Sequence, residues 1–145
     1  MGASGNDSVR VSIEGAIRDF KEIKTRTLDE IDKALNKIGN QIATTAKRSM
    51  KGRSAESIEG APPRVDTGLL RGSITSAVKS DMVRSVLYVG TSVWYAKPLE
   101  TKENVAGRPA YRGKIHPFLK PALDAKTEAQ YMEEIRASVA KAVKK

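Results

Sequence analysis

Apolar and polar residues alternate at the start of the chain, with Val9, Val11 and Ile13 set between Arg10, Ser12 and Glu14. A period of two predicts a short half-buried strand, closed by Gly15. The period then changes. Ala16, Ile17, Phe20 and Ile23 recur at helical spacing and predict a short helix. The strongest pattern follows: Leu28, Ile31, Leu35, Ile38 and Ile42 are three or four residues apart, and Ala46 and Met50 prolong the stripe. This predicts an amphipathic helix over residues 27–50. Thr27 with Glu30 has the spacing of a capping box at its start. Lys47, Arg48 and Lys51 complement the negative end of its dipole, and Gly52 supplies a stop. The stripe also resembles a coiled-coil seam but lasts only about three heptads, which favours a core helix.

Residues 51–65 read KGRSAESIEGAPPRV, and their Gly, Ser and Pro content predicts a long loop. Two strand-like runs follow, 73–79 with Ile74, Ala77 and Val78, and 84–90 with Val86, Leu87, Tyr88 and Val89. A turn at Lys79, Ser80, Asp81 and Met82 joins them into an antiparallel hairpin. Trp94 and Tyr95 come next, then a second long loop over 97–114. A C-terminal helix is expected from Lys120 or Pro121, because proline suits the first helical position. Leu123, Met132, Ile135, Val139 and Val143 form its loose apolar stripe. The predicted fold is α+β, a small antiparallel sheet packed by a long helix of the N-terminal half and a C-terminal helix. One domain is expected over residues 1–145, with residues 1–8 flexible.

Composition narrows the chemistry. The 145 residues include no cysteine and a single histidine, His116. Thiolate chemistry and Cys-ligated metal are therefore excluded, and no Asp/Glu cluster suggests a carboxylate metal site. No cofactor is expected, since neither GxGxxG nor GxxxxGK[ST] occurs. No run of about 18 apolar residues could span a bilayer. The N-terminus lacks the features of a secretory signal, and Asn6 stands where a myristoylation motif wants Ser or Thr. The formal net charge of +9 suits an anionic partner such as nucleic acid, and equally suits solubility.

Asp66-Thr67-Gly68 matches the triplet of aspartic proteases, which need two carboxylates sharing a proton. That triplet should close an apolar strand, whereas here it follows Ala61-Pro62-Pro63-Arg64-Val65. A turn explains it better: Asp66 or Thr67 caps the following N–H groups and Gly68 relaxes the backbone. Arg71 is expected to pair with a carboxylate, Glu100 being the candidate. Trp94 and Tyr95 could stack on bases, but core or interface packing is the stronger reading. His116 has no hydrolytic partners at a recognisable spacing and reads as a turn residue before Pro117. No catalytic residue is assigned, and an enzyme is not expected.

Three segments in order carry a family resemblance. The first runs from Pro63 through Asp66, Thr67, Gly68, Leu70, Arg71 and Ser73. The second is Val89-Gly90-Thr91 with Tyr95, Ala96 and Glu100. The third is Pro117-Phe118-Leu119-Lys120-Pro121-Ala122. From about Val9 to Leu123 the chain resembles the gene-product-ten-like tail-component family of long-tailed bacteriophages, departing from it in a longer, more basic stretch over 101–114. The resemblance implies a structural protein of the virion neck, assembled in the host cytoplasm, that completes or terminates the tail tube and joins it to the head. It implies a homo-oligomeric ring, commonly of six copies, with the tail tube protein and the head-side connector as partners and DNA passing through. No membrane partner is implied. The motif residues would be structural or at interfaces. Lys97, Lys102, Arg108, Arg112 and Lys114 in the second loop would face a partner or DNA. The alternative from charge alone is a small basic nucleic-acid-binding protein.

Overall fold

The computed structural model describes residues 5–52, 58–65, 67–101 and 115–144, with residues 5–13 described by their backbone. The elements in order are α1 (Gly5–Ser49), α2 (Leu69–Ser73), β1 (Thr75–Ser80), β2 (Ser85–Gly90), α3 (Ala96–Thr101), α4 (Leu119–Leu123) and α5 (Glu128–Val143). The architecture is α+β: the long helix of the N-terminal half and the C-terminal helix pack with a two-stranded antiparallel sheet.

Helix α1 is one uninterrupted element of 45 residues, about 67 Å long at 1.5 Å per residue. The expected strand at Val9–Ile13 does not exist; those residues are the second and third turns of α1. The physical reason lies in the same residues. Val9, Ile13, Ala16, Phe20 and Ile23 satisfy a helical period at least as well as a period of two. Once a helix is nucleated, extending it is cheaper than starting a strand that has no partner. Gly15 costs the helix roughly 1 kcal/mol relative to alanine, which does not break it. Nor does a helix begin at Thr27: its hydroxyl donates to the Ile23 carbonyl at 2.7 Å, inside the helix, so it is not the cap that the spacing with Glu30 predicts. Residues 1–4 lie outside the described residues.

The predicted core stripe holds. Ile38, Ile42, Ala43 and Ala46 are buried on α1, and Met50 just past its end. They form one core with Leu70, Ile74, Ala96, Leu99, Phe118 and Ala122, while Leu87, Val89, Tyr95, Tyr131 and Ile135 pack against it. Strands β1 and β2 pair from Thr75 with Gly90 to Ser80 with Ser85. The face carrying Ser76, Val78, Leu87 and Val89 is the more covered, and it meets α1 at Gly39. A Cβ there would lie 2.6 Å from Leu87 Cδ1 and 2.8 Å from Ser76 Cβ, so the hairpin rests directly on helix backbone.

The single predicted C-terminal helix is two helices. Pro121 is the third residue of α4, where a missing N–H still costs nothing, and the chain then breaks before Thr127. The Thr127 hydroxyl accepts the N–H of Gln130 and the Gln130 side chain accepts that of Thr127, a complete capping box that starts α5. Lys126 ties this corner to α1. Its ammonium donates to Gln41 at 2.8 Å and to Glu134, and sits 5.8 Å from the centre of the Tyr131 ring.

Candidate functional site

The three motif segments meet around the end of the core. In the first, the Thr67 hydroxyl accepts the N–H of Leu69 at 3.3 Å, and Gly68 adopts φ +81°, ψ −4° immediately before α2. That left-handed conformation is the reason for glycine in the triplet. Leu70 then points inward at 8% exposure, and Pro63 is buried. Asp66, the proposed cap, lies outside the described residues. Arg71 is exposed and forms no ion pair among the described residues.

Ser73 binds the first segment to the second. Its hydroxyl donates to the Leu70 carbonyl at 2.8 Å and lies 2.5 Å from the hydroxyl of Thr91. Thr91 in turn accepts the N–H of Val93 at 3.1 Å, shaping the turn into α3. Tyr95 packs on the core, while Trp94 stands edge-on to it at 5.5 Å and remains 55% exposed. Core packing therefore describes Tyr95, and Trp94 belongs to the surface.

Glu100 binds the second segment to the third. Its carboxylate accepts the N–H groups of Phe118 at 2.8 Å, Leu119 at 3.2 Å and Lys120 at 2.7 Å. These are the free donors at the start of α4, whose own preceding residue, Phe118, offers no side-chain cap. The expected Arg71–Glu100 pair is not among the ion pairs of the described residues; these three amides take up the Glu100 carboxylate instead. Phe118 is fully buried at the centre, Leu119 packs against the core, Pro117 is half-buried and Pro121 exposed.

The second predicted loop is partly helical. Lys97 and Glu100 lie on α3, where Pro98 is buried within the first turn. Lys102, Arg108, Arg112 and Lys114 lie outside the described residues. His116 is not a turn residue on the surface. It is 2% exposed, its N–H donates to the Leu99 carbonyl at 2.8 Å and its Nδ1 lies 3.1 Å from the Ala61 carbonyl. Together with the bond from the Gly60 N–H to the Ile115 carbonyl at 2.8 Å, it fastens the loop before the first motif to the segment before the third.

Gly39, Asp32 and His116 are structural positions that spacing alone does not reveal. Asp32 on α1 accepts the hydroxyls of both Ser80 and Ser85, at 2.7 and 2.5 Å, holding the hairpin at its turn end. Among the described residues no three His, Cys, Asp or Glu side chains gather as metal ligands, and no helix is long and apolar enough to cross a membrane.

An α+β body locked by these motif segments is the fold class that the hydrophobic patterning predicts. Over residues 14–101, well over half of its length, the sequence matches the HK97-gp10_like family of bacteriophage HK97-gp10 tail components. The chain belongs to that family and is a tail component of a bacteriophage, hence of the virion. Comparison with curated proteins and with solved structures finds no match.

Proposed function

We propose that this chain is a non-catalytic subunit of the virion neck. Copies of it form a ring, six in number, that completes or terminates the tail tube and presents a surface to the connector on the head side. Membership of the tail-component family carries this reading. The use of the motif residues supports it. Ser73, Thr91, Glu100 and Phe118 are committed to one another and to the core, as expected of residues that fix the shape of a building block. The partners are other copies of the chain, the tail tube protein and the head-side connector, with DNA in the channel.

The sequence over 97–114 carries five basic residues against Glu100 and Glu103. A ring multiplies that excess by the number of subunits. DNA presents about one negative charge per 1.7 Å of axis, so basic residues turned toward the lumen would slow its exit. An acidic face of the adjoining ring is the preferred target.

Negative-stain images of the purified protein, alone and mixed with tail tubes, test the assignment: rings capping one end of the tube are expected. Finding the chain in virions only as isolated monomers, or on the capsid shell, would refute it. In the phage, reversing Arg108, Arg112 and Lys114 to Glu should give normal heads, normal tails and few joined particles. The net charge of +9 favours one other reading, a small nucleic-acid-binding protein. Dispersed monomers with steeply salt-dependent DNA affinity would establish that instead.

A further inference from the structure

Every residue of α1 from Ala16 to Arg26 is exposed, although the segment is not polar. Ile17 is 49% exposed, Phe20 73% and Ile23 49%. On a helix, positions about eighteen residues apart point the same way after five turns. Ile17 therefore lies on the face of Leu35, and Phe20 on that of Ile38, which is 4% exposed in the core. The projecting half of α1 continues the side of the helix that is packed lower down.

The spacing specifies the kind of surface that would cover it. Ala16, Phe20 and Ile23 follow one another at four and three residues, the spacing of a seam where a helix lies along another helix. The charges beside the seam specify a helix of the same sequence. Asp19 precedes Phe20 and Lys24 follows Ile23. Both are exposed, and neither has an ion pair among the described residues. In two parallel copies in register, Asp19 of one helix falls beside Lys24 of the other. Copies in a cyclic ring are related by rotation about one axis, so projecting helices that lie along that axis leave the same side and run parallel to their neighbours.

We infer that residues 16–26 of α1 dock against the same segment of a second copy, in parallel, with Ala16, Phe20 and Ile23 in the seam. The inference rests on the ring reading for its symmetry. It is tested on the full chain by sedimentation and by disulfide capture. Phe20→Glu with Ile23→Glu should weaken self-association at least about tenfold and leave the melting temperature of the body unchanged. Asp19→Lys alone should weaken it, and adding Lys24→Asp should restore it. The natural chain has no cysteine, so Ala16→Cys should cross-link to itself on oxidation, as parallel seams require. Association of the double Glu variant equal to wild type, or no cross-link within assembled oligomers, overturns the inference. A wild-type chain that stays monomeric at all concentrations overturns it as well. The two readings fail separately. Normal necks in phage carrying the double Glu variant remove the seam and leave the neck role. Loss of association in that variant, with the wild-type chain absent from necks, does the reverse.

Discussion

The carboxylate of Glu100, on α3, accepts the backbone N–H of Phe118 at 2.8 Å, eighteen residues further along the chain. Phe118 is the fully buried centre of the core and also the residue from which α4 departs. One side chain thus fixes where the core aromatic sits and satisfies the start of the helix that follows it. The anion also complements the positive end of the helix, although α4 has only five residues.

Glu100→Ala should therefore destabilise the protein by about 2 kcal/mol, since three donors lose a charged acceptor in a half-buried setting. Glu100→Gln should fall between, because its amide oxygen still accepts while its NH2 faces the same donors. Urea unfolding measures both. Equal stability of Glu100→Ala and wild type would show that water replaces the carboxylate.

Gly39→Ala should also destabilise, against the ordinary expectation for an exposed helix. Alanine gains up to about 1 kcal/mol in helix propensity. Its Cβ would meet Ser76 Cβ, fixed to the backbone, at 2.8 Å, as well as the more adaptable Leu87 methyl. Overpacking of that kind costs about 1–3 kcal/mol, so a net loss of about 1 kcal/mol is expected in a denaturant melt.

The elements that sequence reveals are those whose burial repeats with the backbone. The stripe through Leu35, Ile38 and Ile42 and the alternation in the hairpin are examples. Residues 9–13 mislead because so short a run satisfies both periods, and only the absence of a partner strand decides between them. Thr127 and Gln130 do carry the spacing of a capping box, so the break between α4 and α5 is legible. Gly39 and His116 are not. A glycine in a helix says nothing about what approaches it, and His116 is buried by carbonyls from Leu99 and Ala61, segments distant in sequence. Of the motif residues, Glu100 is legible as important, but its partners are backbone amides, which no sequence pattern names.

Asp32→Ala should loosen the hairpin from α1. One carboxylate oxygen accepts the hydroxyls of Ser80 and Ser85, which face each other across the two strands. A loss of about 1 kcal/mol is expected from this partly exposed pair of bonds. Amide hydrogen exchange should speed up in β1 and β2 before it does in the helical core. Ser80→Ala with Ser85→Ala should give the same exchange pattern, since it removes the same bonds from the other side.

Asp81 makes the turn sensitive to acid. Its Oδ1 accepts the N–H groups of Val83 at 2.7 Å and Arg84 at 2.9 Å. These two bonds, the one from Val83 the larger influence, hold its pKa below the ordinary 3.8. The folded state thus binds the proton less readily than the unfolded chain does. The stability contributed is fully present above the ordinary value and is lost as pH falls through the lowered folded value. Asp81→Ala should accordingly melt at a lower temperature than wild type at neutral pH, and the gap should close as the pH is taken below 3.8 and on through the folded value. The carboxyl is fully exposed, so the gap should be small and should not depend on burial elsewhere. A gap that stays constant through the acid range would mean that the turn depends on the shape of the Asp81 side chain and not on its charge.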